Sequence, residues 1–193
     1  MTRRARSEAS DQTRIALLRG INVGGKNKLA MSILREIFEE IGCRAVTSYI
    51  QSGNVVFRAD PELAVGVSPL ISRALRERFG LAVPLVTRTL RDWRAMVAAN
   101  PFLTANRDPK KLHVAFLAQA PDASRVATLD PDRSPPDELS VRGAEVYLYC
   151  PNGMARSKLT TTYLDSRLQT TSTVRNWNTI LALLSLAESA DAT

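Results

Sequence analysis

The sequence predicts an α+β fold of two packed ferredoxin-like halves, each a β-α-β-β-α-β unit followed by one extra helix. Three observations point there. Apolar residues switch between strand and helix spacing in one order, strand, helix, strand, strand, helix, strand, helix, and the second half of the chain repeats it. Arg91-Asp92-Trp93 and Arg175-Asn176-Trp177 each open the last helix of a half. Gly53 and Gly143 stand at the two hairpins.

Arg14–Arg19 (RIALLR) reads as a buried strand. Leu34, Ile37, Phe38 and Ile41 follow at helical spacing, and Gly42 supplies the stop. Val46–Ile50 and Val55–Arg58 form a hairpin around Gln51-Ser52-Gly53-Asn54. Ser68-Pro69 reads as an N-cap with proline at the first helical position, followed by the stripe Ile71, Leu75, Phe79. Val83–Thr87 is a strand, and Leu90, Trp93 and Val97 mark a helix closed by Asn100-Pro101. In the second half, Leu112–Leu117 is a strand and Pro121–Leu129 a short helix. Leu139–Val141 and Glu145–Cys150 form a hairpin, and Ser157–Leu168 is a helix. Thr171–Val174 is a strand, and Trp177, Ile180, Leu181 and Leu184 mark the final helix. These elements place a polar tail at 1–13, halves at 14–104 and 110–188, and a short tail at 189–193. The junction falls at Arg107–Lys111.

Composition narrows the function classes. At 45% hydrophobic, the chain can bury a sizeable core. It has no apolar run long enough for a membrane helix, and its N-terminus lacks the apolar middle of a signal peptide. Two isolated cysteines, Cys43 and Cys150, fit the reducing cytoplasm and read as small buried hydrophobes. The acidic residues and the single histidine, His113, show no metal-binding spacing, so no metal and no cofactor is expected. One histidine inside an apolar strand also supports no Ser/His/Asp arrangement. The net charge of +7 is unevenly spread: residues 14–100 hold 13 basic and 7 acidic side chains, and residues 101–193 hold 10 of each. A basic first half suits an anionic partner, a small molecule or a nucleic acid.

The strongest site signal lies in that half. Arg19–Lys28 (RGINVGGKNK) combines three glycines with three cations, the composition of a loop that aims backbone N–H groups at an anion. Gly20 to Lys26 also matches the first seven positions of a phosphate-binding P-loop. The eighth position, where Ser or Thr would hold Mg²⁺, is Asn27, and helical periodicity begins only near Ala30. The sequence therefore predicts an anion loop of a different kind. Arg19 and Lys26 supply charge, Gly24 and Gly25 supply backbone donors, and Asn22 orients the ligand. Arg156, Ser157 and Lys158, at the start of a predicted helix, form a second anchor, where two cations oppose the helix dipole unless an anion lies between them.

Other polar strings carry less. Ser52-Gly53-Asn54 is ordinary turn chemistry, and Trp177 lies on an apolar stripe. Arg142–Tyr149 is similar to an RNA-recognition strand, but Ala144 and Val146 occupy positions where stacking aromatics are wanted.

Five strings, ALLRGINVGGKNK (16–28), SYIQSGNVVF (48–57), KLHVAFL (111–117), RSKLT (156–160) and RNWNT (175–179), together resemble the bacterial domain-of-unknown-function family 1697, from about Arg14 to Ala187. The resemblance implies an α+β fold of ferredoxin-like character and no assigned activity. Family members tend to approach the S-K-L string through glycines, whereas this chain has Gly153-Met154-Ala155-Arg156. The expected function is binding of a nucleotide or nucleic acid through the glycine-rich loop. The alternatives are an enzyme acting on a phosphorylated or carboxylated metabolite in the cleft between halves, and a protein-interaction module.

Overall fold

A computed structural model describes residues 12–25, 27–104 and 107–192. The first half contains β1 (Gln12–Leu18), α1 (Met31–Glu40), β2 (Arg44–Tyr49), β3 (Asn54–Ala59), α2 (Pro61–Phe79), β4 (Leu85–Thr89) and α3 (Leu90–Ala98). After a short helix, α4 (Pro101–Thr104), the second half contains β5 (Leu112–Leu117), α5 (Ala123–Val126), β6 (Glu138–Arg142), β7 (Glu145–Tyr149), α6 (Thr161–Leu168), β8 (Ser172–Asn176) and α7 (Trp177–Asp191). Each half forms a four-stranded antiparallel sheet, in the orders β2-β3-β1-β4 and β6-β7-β5-β8. That order is the ferredoxin-like one, so the chain has the two predicted halves, each with its extra helix.

Alternation along the central strands decides the layering. Ala16 and Leu18 of β1 and Val55 and Phe57 of β3 face α1 and α2, where Leu34, Phe38, Ile71 and Leu75 complete a core. Ala115 and Leu117 of β5, with Val146 and Leu148 of β7, face α6 in a second core. The opposite faces, Ile15, Leu17 and Val56 from one sheet and Leu112, Val114 and Phe116 from the other, share a third core with α3 and α7. Helix α7 packs on β1 and β3 of the first half. In return, Trp93 of α3 stacks on Phe116 of the second half, with ring centroids 4.8 Å apart, and its Nε1 donates to the Ile180 carbonyl at 3.1 Å.

Several boundaries move, each for a local reason. Helix α2 starts at Pro61, because Asp60 accepts the Leu63 N–H at 2.8 Å and Pro61 presets the first turn. Pro69 therefore sits inside the helix rather than at its start. Helix α6 starts at Thr161 and not at Ser157: Thr160 caps it by accepting the Tyr163 N–H, and residues 154–156 form a separate 3-10 turn. Strand β1 begins at Gln12 and α7 runs to Asp191. The two tryptophan strings are out of register, since Trp93 is the fourth residue of α3 and Trp177 the first of α7.

Candidate functional site

The glycine-rich loop leaves β1 at Arg19 and reaches α1 at Met31. Asn22 holds it closed. Its Oδ1 accepts the Leu29 N–H at 2.8 Å, and its Nδ2 donates to the carbonyls of Leu29 at 2.8 Å and Gln51 at 2.9 Å. Asn27 Nδ2 adds a bond to the Gly20 carbonyl at 3.0 Å. Asn22 and Asn27 both adopt left-handed backbone, which asparagine tolerates. The expected ligand-orienting residue is thus occupied in joining the loop to the β2–β3 hairpin tip. Gly24, Gly25 and Lys28 are exposed, and a Cβ at either glycine would meet nothing within 4 Å. Lys26 lies outside the described residues.

Arg19 turns across the junction. Its guanidinium pairs with Asp165 and donates through Nη2 to Thr161 Oγ1 at 3.0 Å, both on α6. Asp165 Oδ1 also accepts the backbone N–H of Ser172 at 2.8 Å and its hydroxyl at 2.6 Å. The loop is therefore fastened to the first turn of the helix that follows Arg156-Ser157-Lys158. Within that string the residues differ. Ser157 is buried and its Oγ accepts the Leu159 N–H at 3.0 Å. The Lys158 backbone donates to Ser134 Oγ at 3.0 Å. The side chains of Arg156 and Lys158 are exposed. Because α6 begins at Thr161, neither cation stands in its first turn, and the helix-dipole reason for an anion between them falls away.

A second arrangement was not legible as such in the sequence. Arg88 and Arg175 are the penultimate residues of β4 and β8, and each crosses into the other half. Arg88 donates through Nε to Glu145 at 2.7 Å and through Nη2 to the carbonyls of Leu117 at 2.7 Å and Ala144 at 3.1 Å. Arg175 donates through Nε to Asn54 Oδ1 at 2.5 Å and through Nη2 to the carbonyls of Leu18 at 2.8 Å and Ser52 at 3.3 Å. The targets correspond: the last residues of β5 and β1, and the first residues of β7 and β3. Gly53 fits beneath this second clasp, because a Cβ there would come within 2.8 Å of Leu18 Cβ. Burial pushes the Arg175 guanidinium down to about 10, which leaves it charged at neutral pH.

The remaining chemistry is structural. Tyr147 is buried, donates to the Met96 carbonyl at 2.9 Å and is pushed up to about 12, chiefly by burial. Tyr149 is half-buried beside the shared core, so the pair forms no stacking platform. Burial lowers His113 below its usual value, and Nδ1 lies 3.2 Å from the Lys111 carbonyl. Burial likewise pushes Cys43 and Cys150 up to about 11, away from thiolate chemistry. Among the described residues no cluster of histidine, cysteine and carboxylates suits a metal, and no helix is long and apolar enough to cross a membrane. A cleft of about 490 Å³ does lie between the halves, lined by Arg88, Asp92, Met96, Arg142, Glu145 and Tyr147. None of the sequence-predicted site residues lines it.

Comparison with known proteins supports the fold. The conserved bacterial protein SP0830 from Streptococcus pneumoniae superposes with a TM-score of 0.71 over 92% of this chain and 99% of that one, at 22% identity. Likeness at that identity concerns the fold alone. No curated protein matches the chain. The model of the family described as "Protein of unknown function (DUF1697)" matches residues 12–147, which include the glycine-rich loop and the first hairpin and end inside β7, short of RSKLT and RNWNT. The chain belongs to that family.

Proposed function

We propose that this protein binds an anionic ligand, a nucleotide or a nucleic acid, on the surface that joins the exposed part of the glycine-rich loop to the segment before α6. The observation that carries this reading is the Arg19 bridge to Thr161 and Asp165, which ties the glycine-rich loop to the helix that follows the second basic string. Arg19, Asn22 and Ser157 build the scaffold, while Gly24, Gly25, Lys28, Arg156 and Lys158 remain exposed to a ligand. The glycines add backbone donors and the cations add charge. The basic excess of the first half supports an anion in particular.

A second reading, an enzyme for a small anionic metabolite, rests on the cleft beside Arg142, whose Nη1 donates to the Ala99 carbonyl at 2.6 Å. Fluorescence anisotropy separates the two, with labelled oligonucleotides and a labelled nucleoside triphosphate at low and near-physiological salt. The expected result is binding that weakens with salt, and further in Lys28→Glu and Lys158→Glu, with the salt slope reduced by roughly 1 per lost phosphate contact. No binding of any probe at low salt overturns the proposal. Binding unaffected by either lysine but lost in Arg142→Ala moves the function to the cleft.

A further inference from the structure

We propose that Val23 and Ile50 form an apolar wedge that enters between base pairs of a nucleic-acid duplex. The inference rests on the anion-binding reading above and narrows its ligand to a duplex. Val23 is 60% exposed and Ile50 is 53% exposed. They sit beside one shared contact, the 2.9 Å hydrogen bond from Asn22 Nδ2 to the Gln51 carbonyl. Two exposed aliphatic residues from separate loops thus flank one contact.

Packing does not account for them. Ile50 adopts left-handed backbone, with φ 48°, a conformation that a β-branched residue disfavours. The support beneath is firm. Arg175 holds the Ser52 carbonyl and Asn54, and Gly53 lies against Leu18. A rigid, strained and solvent-facing isoleucine is suited to insertion.

Charge and shape select the occupant. No acidic residue occurs from Gln12 to Arg35 or from Ile41 to Ala59, Lys28 is exposed in the same loop as Val23, and Arg35 reaches the β2–β3 hairpin through its Nη1 bond to Ser48 Oγ at 2.8 Å. A polyanion complements that surface. Single strands are held mainly by aromatic stacking, and the aromatic residue beside the tip, Tyr49, packs against the shared core. Aliphatic wedges act instead on duplexes, where they part a base step and kink the helix.

The test uses a duplex carrying 2-aminopurine, whose fluorescence rises when its base unstacks. Anisotropy is followed in parallel at two salt concentrations. The full-length chain is compared with Val23→Ser/Ile50→Asn. Asparagine accepts left-handed backbone, so a melting temperature that holds or rises shows that the variant is folded. The expected result is salt-sensitive binding with brightening in the parent. The variant keeps salt-sensitive binding, weaker by roughly 100-fold or more as for loss of two buried aliphatic side chains, and loses the brightening. Binding without brightening, brightening that survives the substitutions, or binding of single strands alone overturns the wedge while the anion reading stands. No binding of any nucleic acid overturns the wedge and removes nucleic acid from the broader reading.

Discussion

Arg88 and Arg175 occupy the same place in their two sheets, yet they meet different partners. Arg88 faces the carboxylate of Glu145, whereas Arg175 is buried against neutral acceptors. Removing a guanidinium from water is costly, and well-placed hydrogen bonds offset the cost, each to a charged group being worth about 1.5–3 kcal/mol. Asn54 suits its position because it faces both ways. Its Oδ1 accepts from Arg175, and its Nδ2 donates to the Tyr49 carbonyl at 3.2 Å and Ser52 Oγ at 3.0 Å. A carboxylate there would lose those donors. Glycines divide as sharply. Gly53→Ala forces a Cβ against Leu18 at φ +71° and should cost about 2–4 kcal/mol, overpacking added to left-handed strain. Gly24→Ala, at φ +59° in open space, should cost only about 1–2 kcal/mol. Urea titration of the two variants checks this, and equal costs would mean that the hairpin tip yields to the added methyl. The sequence reads Ser52-Gly53-Asn54 as ordinary turn chemistry and Arg175 as the opening of the last helix. Their purpose was hidden because the partners of Arg175 lie more than 100 residues away in the chain.

At the scale of elements, periodicity located every strand and helix of both sheets, and side-chain caps set where α2, α3, α6 and α7 begin. The errors came where two cap signals competed. Ser68-Pro69 and Asp60-Pro61 both read as helix starts, and the earlier one operates because Asp60 reaches the Leu63 N–H. Ser157 and Thr160 competed in the same way, and Leu159, buried in the second-half core, holds the intervening chain out of the helix. The start at Pro61 leaves Pro69 exposed within α2, unable to donate to the carbonyl one turn earlier. Pro69→Ala should therefore stabilise the protein, by about 1–3 kcal/mol. Calorimetry should show a higher melting temperature. A lower one would mean that the proline contributes more by restricting the unfolded chain than it disrupts in the helix.

At the scale of the molecule, the halves exchange support. Helix α7 of the second half covers the first sheet, Trp93 of the first half stacks on the second, and the two arginines cross in opposite directions. The repeat of element order was legible in the sequence because hydrophobic spacing is local. The exchange was not, and the tryptophan strings that suggested a repeat align one helical turn apart. The same junction fastens the glycine-rich loop beside α6 through Arg19, so the proposed binding surface exists only while the halves are docked. Both tryptophans of the chain, Trp93 and Trp177, lie in the shared core. Tryptophan fluorescence therefore reports the junction, while far-ultraviolet circular dichroism reports all helices and strands. Equilibrium urea unfolding followed by both signals tests whether the halves form one unit. Coincident midpoints are expected, and Arg175→Met should shift both together. A fluorescence midpoint at clearly lower urea than the dichroism midpoint would contradict this, because the halves would then separate and persist on their own.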